Sequence, residues 1–272
     1  MLRKLLKHEF RATGRIMLPM YLILLVTAVG SNLAGRGMLD SRFDILNILG
    51  VLIVIAFGTA ITGACLLAFV LMIQRFYKNL LQDEGYLMFT LPASVHQHIW
   101  SKLIVSSVWF IVTVLAIIAA SLVVAYQGGF LRELLDFLRY FLEGLRKLEV
   151  SEAFNGTIYL AEFAVLMFLS LVAFSLQFYA ALAAGHSQAN HKLLWSVVWF
   201  FGIQFALQFA GSLLIIGSNK LNVFDRFFSH WDPSPTVAIH VGLLMAIGCV
   251  IVYGAIFYAI TTFFLKKHLN LE

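Results

Sequence analysis

Six long apolar runs constrain this sequence more than any other feature. Each is long enough to cross a hydrocarbon core of about 30 Å as a helix. Backbone amides in hydrocarbon must bond internally, and the runs lack the alternating pattern of a barrel strand. We therefore predict an all-α, polytopic membrane protein with six transmembrane helices, built as one domain over residues 1–272. The runs are Ile16–Ala34, Ile45–Ile73, Ile99–Tyr126, Ile158–Gly185, Leu193–Gly217 and Thr236–Leu265.

The distribution of charge predicts the orientation of the chain. Six crossings place both termini on one side of the membrane, and that side carries eleven Lys and Arg against four Asp and Glu. The other side carries eight basic residues against nine acidic ones. Because basic loops stay in the cytoplasm, both termini should be cytoplasmic. The net charge of +5 is thus explained by membrane orientation, and nucleic acid is not expected as a partner.

Residues 1–15 combine leucines with basic side chains at helical spacing. This pattern predicts an amphipathic helix that lies on the anionic inner leaflet. Such a helix serves either as an anchor alone or as an anchor that also contacts a partner. The segment is too long and too amphipathic for a cleaved signal peptide.

The longest polar break on the predicted cytoplasmic side runs from Gln74 to Lys102. Aromatic and aliphatic residues interleave its charges, which gives it more apolar surface than a solvated connector needs. Gly85 and Pro92 divide it into two short helical pieces. We therefore interpret this break as a docking segment for a partner protein.

A second polar segment, residues 129–150, lies on the predicted outer side. Arg132, Asp136, Arg139 and Glu143 recur at helical spacing opposite a row of leucines, which predicts an amphipathic helix at the outer interface. It either covers the spans as a lid or collar or simply rests on lipid.

Polar side chains inside the spans are candidates for a substrate path. Glu162 is the one acidic residue placed in hydrocarbon, and such a carboxylate either has a function or reaches the nearby surface. Two amides one turn apart in the fifth span need partners, which a symmetry mate or a substrate could supply. Small residues in the second span indicate close helix packing or a path lining. The candidate path residues are Thr59, Thr62, Glu162, Gln177, Phe201, Gln204, Phe205 and Gln208.

Several catalytic signatures are absent from the sequence. It has no GxxxxGK[ST] phosphate loop, HExxH, GxSxG or CxxC motif. Cys65 and Cys249 are not at metal-ligand spacing, and His96 and His98 would point apart on a helix. We therefore expect no catalytic residues, no metal site and no cofactor in this chain.

The stretch RFYKNLLQDEGYLMFTLP, preceded by LLKHEFRATGR and set within six spans, resembles the permease subunits of bacterial type-two ATP-binding cassette exporters. The resemblance implies that residues 1–15 form an elbow helix and that residues 74–98 form a cytoplasmic coupling loop. This loop would dock on a separate ATPase subunit, which holds the ATP and Mg. The residues implied in coupling are Tyr77, Lys78, Leu81, Asp83, Glu84, Gly85 and Tyr86.

The same resemblance implies a complex of two permeases and two ATPases in the bacterial plasma membrane, with a homodimer or a heterodimer of permeases. The second and fifth spans would line a cavity at the dimer interface. The expected function is export of an amphipathic or hydrophobic substrate, such as an antimicrobial peptide or a drug-like molecule. One alternative is a membrane sensor or scaffold that binds a partner without transport. Another is an intramembrane enzyme that uses Glu162.

Overall fold

The computed structural model describes residues 1–39, 43–82, 92–126, 150–188, 190–220 and 234–267, together with single residues between 85 and 90 and between 132 and 143. These ranges contain six long helices, each long and apolar enough to cross a membrane. The helices are α1 Leu2–Gly37, α2 Asp44–Leu81, α3 Val95–Ala125, α4 Val150–Gly185, α5 Lys192–Lys220 and α6 Pro235–Lys267. The prediction of an all-α membrane protein with six spans is therefore confirmed.

Apart from Met1, helix α1 includes both the predicted elbow segment, residues 1–15, and the first predicted span. It continues without a break from Leu2 to Gly37. Pro19 lies inside this helix, near the start of the predicted span Ile16–Ala34. Membrane helices tolerate an interior proline when local adjustments satisfy the freed backbone groups. The basic segment 1–15 is thus the first part of one long rod.

The polar break between the second and third spans is also more helical than expected. Helix α2 continues to Leu81, and α3 begins at Val95. In the segment between α3 and α4, the residues described between 132 and 143 are helical and exposed, and the amphipathic helix at the outer interface stays a prediction. The rest of segment 129–149 lies outside the described residues.

Contacts divide the chain into two compact units. The first unit comprises Met1–Arg75 and Gln97–Ala153, and the second comprises Phe76–His96 and Phe154–Glu272.

In the first unit, small side chains of α2 pack closely inside the core. Ala60, Ala64 and Ala68 are buried, whereas Ala56 is exposed. Ala60 lies in a cluster with Leu24, Ala28 and Ala120, and Ala68 lies in a cluster with Met17, Tyr21 and Leu71. The four-residue spacing of alanines therefore serves helix packing within the chain.

Polar bonds join α1 to α3 in the first unit. The ammonium group of Lys102 donates to Glu9, and both side chains are buried. The indole nitrogen of Trp109 donates to Thr13 at 2.7 Å, and the hydroxyls of Tyr21 and Thr113 lie 2.8 Å apart. These contacts hold the basic segment of α1 against α3.

In the second unit, the start of α5 packs closely against the end of α4. A Cβ atom added at Gly185 would lie 2.2 Å from Oγ and 2.4 Å from the backbone nitrogen of Ser196. Glycine at 185 therefore permits an approach that any side chain would block. His191 has a φ of 53° in the connecting turn, which is the left-handed region.

Candidate functional site

The predicted coupling residues fall into three groups. Lys78 is exposed on the last turn of α2 and Tyr77 is half-buried, whereas Leu81 and Gly85 are buried. Asp83, Glu84 and Tyr86 lie outside the described residues. The structure therefore leaves Lys78 and part of Tyr77 accessible and places Leu81 and Gly85 in packing positions.

The residues Phe76–Leu81, which we call the α2 end segment, are packed firmly within the second unit. The ring of Phe76 stacks on Tyr179 of α4, with centroids 4.1 Å apart and planes 6° apart. Phe76, Leu80 and Tyr179 are each 0% exposed. The end of α2 is thus fixed to the C-terminal part of α4 by a fully buried contact.

A buried histidine lies beside this segment. The ring of His186 meets the ring of Tyr77 edge-on at 5.1 Å, and its Nδ1 lies 2.9 Å from the carbonyl oxygen of Leu182. Burial lowers the pKa of His186 below its ordinary value of 6.5. The bond to Leu182 opposes that shift, and the positive charge of Lys192 adds to it. The geometry favours the neutral imidazole at this position.

A second histidine bridges two groups of α6. His96 Nδ1 lies 2.5 Å from the hydroxyl oxygen of Tyr258, and the ammonium group of Lys266 donates to His96 Nε2 at 2.9 Å. Both ring nitrogens are therefore engaged by protein groups. Within the described ranges, no three His, Cys, Asp or Glu side chains gather in a group that could hold a metal ion.

The predicted substrate-path residues divide between the two units. Thr59 and Thr62 belong to the first unit, and the other six belong to the second. The hydroxyl of Thr59 donates to the carbonyl of Ala56 at 2.8 Å, and that of Thr62 donates to Gly58 at 3.1 Å. Both threonines are exposed but satisfied by their own helix.

Two of the path residues meet around a tyrosine that the sequence did not single out. The hydroxyl of Tyr253 in α6 lies 3.0 Å from Oε1 of Gln204 in α5 and 3.3 Å from Oε1 of Gln177 in α4. Gln177 is 7% exposed, and the other two side chains are half-buried. We call Gln177, Gln204 and Tyr253 the glutamine–tyrosine cluster, because it joins three helices of the second unit.

The remaining path residues of α5 face outward. Phe201 is 65% exposed and Phe205 is 71% exposed, and Gln208 is exposed near the middle of the helix. Among the described residues, none bonds the side-chain amide of Gln208. The two amides one turn apart therefore have different surroundings: Gln204 has a partner inside the unit, and Gln208 does not.

Glu162 has a partner on α6. Nδ1 of His240 lies 3.0 Å and 3.1 Å from the two carboxylate oxygens of Glu162. The ring of Tyr159 lies 4.2 Å from the ring of His240, and its hydroxyl donates to the carbonyl of Thr236 at 2.9 Å. These contacts join the N-terminal parts of α4 and α6, and they explain how an acidic side chain is accommodated in a span.

Three important partners were missed in the sequence: His240, Tyr253 and the Glu9–Lys102 pair. Helical periodicity could assign Glu162 and Gln177 to a face, but their partners follow 76 or more positions later in the chain. The only available signal was the rule that a polar group in hydrocarbon requires a partner.

Comparison with known proteins finds no family model, no curated protein and no solved structure that matches this chain.

Proposed function

We propose that this chain is the permease subunit of an ATP-driven exporter in the bacterial plasma membrane. A separate ATPase subunit, which binds ATP and Mg, would supply the energy, and the substrate would be amphipathic or hydrophobic. The proposal is supported by six membrane-spanning helices, by the resemblance carried by Arg75–Pro92, and by the geometry of the α2 end segment.

The α2 end segment carries the proposal. A coupling element must expose side chains to its partner protein, and it must be packed rigidly against the membrane-spanning helices. Lys78 is exposed, while Phe76 and Leu80 on the same two turns are fully buried against the unit. Displacement of this segment would therefore pass to α4 through the stack of Phe76 on Tyr179. Close-packed contacts of this kind transmit motion because they resist compression.

A second copy of the chain, or a paralogue, would complete the permease. Gln208 exposes an amide near the middle of a membrane span, where an unpaired amide is costly. A carboxamide offers both donors and an acceptor, so two copies of Gln208 satisfy each other across a two-fold axis. The exposed rings of Phe201 and Phe205 on α5 would lie in or beside the same interface.

Charge reversal on the α2 end segment tests the proposal. The chain is co-expressed and purified with an ATP-binding cassette ATPase subunit from the same genome, and copurification and ATP turnover are measured. Lys78→Glu should reduce the copurified ATPase about tenfold or more, because like charges at an interface cost several kcal/mol. The matched control is Lys220→Glu, since Lys220 is also exposed on the last turn of a helix.

Equal copurification and equal turnover in the two variants would contradict the docking role. Vesicle assays then separate transport from the alternative of a sensor or scaffold. A complex that binds the ATPase but moves no substrate across the vesicle would favour that alternative.

A further inference from the structure

Two lysines at the C-terminal end of α6 have neutral contacts in place of acidic ones. Lys266 and Lys267 are both exposed in the last turn of the helix. The ammonium group of Lys266 donates to Nε2 of His96 at 2.9 Å, and that of Lys267 lies 5.5 Å from the ring centroid of Phe263. Within the described ranges, neither lysine forms a salt bridge with a carboxylate. The end of α6 therefore carries two positive charges that no described carboxylate neutralises.

The hydrogen bonds of His96 determine its tautomer. An ammonium group can only donate, so Nε2 of His96 is the acceptor and carries no proton. Nδ1 then carries the ring proton and donates it to the hydroxyl oxygen of Tyr258, 2.5 Å away. The imidazole is thus neutral and adds no charge of its own. His96 uses one of the three N–H groups of Lys266, and no other described group accepts from this ammonium, so two N–H groups remain for a ligand.

The contact with His96 holds Lys266 in one arrangement. Fixing a lysine side chain costs rotamer entropy, and a neutral acceptor supplies no ion-pair energy to offset that cost. Tyr258 in turn holds the imidazole, with the centroids of the two rings 5.8 Å apart. A cation that is already ordered binds an anion with a smaller loss of entropy than a free side chain does. The geometry therefore prepares Lys266 for a negatively charged ligand.

The position of the two lysines in the membrane indicates which anion they meet. They follow directly on the apolar run Thr236–Leu265, so they lie where the hydrocarbon layer ends. The ring of Phe263, which Lys267 contacts, is 47% exposed on the same turn. A lysine stem lies along such apolar surface while its charge stays at the level of the lipid headgroups. The anions at that level are the phosphates of phospholipids.

We propose that Lys266 and Lys267 bind a phosphate group at this end of α6, and that His96 holds Lys266 in position for it. The carrier of the phosphate is an anionic phospholipid of the surrounding leaflet. Its phosphate oxygens accept the two remaining N–H groups of Lys266 in charge-assisted hydrogen bonds, and Lys267 adds a second positive charge. This lipid site goes beyond the proposed export function and does not depend on it.

Native mass spectrometry of the purified full-length chain in detergent tests the site without the ATPase. The probe is phosphatidylglycerol, and a titration gives the affinity of each successive lipid. Lys266→Gln should weaken one binding step about tenfold, which is typical of a lost hydrogen bond to a charged group. The matched control is Lys220→Gln, which also removes one positive charge from an exposed last turn. Its affinities should equal those of the native chain, because within the described ranges no histidine holds Lys220.

A second variant separates the ordering of Lys266 from its charge. His96→Phe keeps a ring against Tyr258 and leaves both lysines in place, but it removes the acceptor for Lys266. The same binding step should weaken about threefold or more, because the ammonium group is no longer held for the phosphate. A general attraction between positive charge and anionic lipid would not change in this variant. Thermal unfolding midpoints verify that all variants fold.

Two further ligands identify the chemistry that is bound. Phosphatidylcholine should bind more weakly than phosphatidylglycerol, because its choline group offsets the charge of its phosphate. Inorganic phosphate at the same concentration as the lipid should not displace phosphatidylglycerol, and displacement would overturn the lipid as the carrier. The site itself would be overturned by equal affinities for the two lipids, by equal losses in Lys266→Gln and Lys220→Gln, or by native affinity in Lys266→Gln or His96→Phe.

Discussion

Breaking the ion pair between Glu9 and Lys102 should destabilise the first unit strongly. Glu9 is 3% exposed and Lys102 is 4% exposed, so neither charge can return to water when its partner is removed. Lys102→Met leaves a buried carboxylate, and the loss of one partner of a buried pair costs about 3–5 kcal/mol. For a chain of this size, such a loss lowers the unfolding midpoint by roughly 6–20 °C.

The double variant Glu9→Leu with Lys102→Met separates the charge effect from packing. It removes both charges and keeps comparable volume, so it should recover most of the lost stability. Thermal unfolding in detergent measures all variants, and Asp136→Asn is the control. Asp136 and Arg139 form an exposed pair at 3.9 Å, and loss of such a pair should not move the midpoint measurably. A double variant no more stable than Lys102→Met would refute the argument.

Two further predictions concern the junction of α4 and α5. Gly185→Ala should destabilise the chain by about 1–3 kcal/mol or more, because the new methyl group would overlap Ser196. Gly202→Ala is the control, since a Cβ at that position meets no atom within 4 Å; equal unfolding midpoints would contradict the reasoning. Because the pKa of His186 is lowered in the folded state, the unfolded state binds more protons as the pH falls below 6.5. Stability should therefore fall with acidification, and His186→Gln should reduce this fall. An unchanged pH dependence of the unfolding midpoint in that variant would contradict the role of His186.

The number and positions of the spans were predictable because they depend on length and hydropathy alone. Close helix packing was one of two interpretations of the small residues in the second span, and the burial of Ala60, Ala64 and Ala68 supports it. The continuous helix of α1 was less predictable. Its amphipathic start is compatible with a helix on the membrane surface or with an extension of the span, and the tertiary contact of Thr13 with Trp109 favours the extension.

The partners within the candidate sites could not be predicted from the sequence. Lys102 ends the polar break that begins at Gln74, yet it forms a buried pair with Glu9, 93 positions away. Tyr253 lies in an apolar run, where an aromatic residue usually serves packing or lipid contact, so the sequence alone does not single it out. Local patterns identify which groups need a partner, but the long-range contacts of the folded helices decide which partner each one meets.

The unbroken course of α1 has a mechanical consequence. Its 36 residues span about 54 Å, whereas the hydrocarbon layer is only about 30 Å thick. The apolar stretch of α1 begins at Ile16. The basic residues before it therefore form an N-terminal extension of about 21 Å on the same helix. A tilt of α1 by about 10° would shift the end of this extension by about 4 Å. A molecule that binds Arg3 or Lys4 would therefore also fix the tilt of α1 in the membrane.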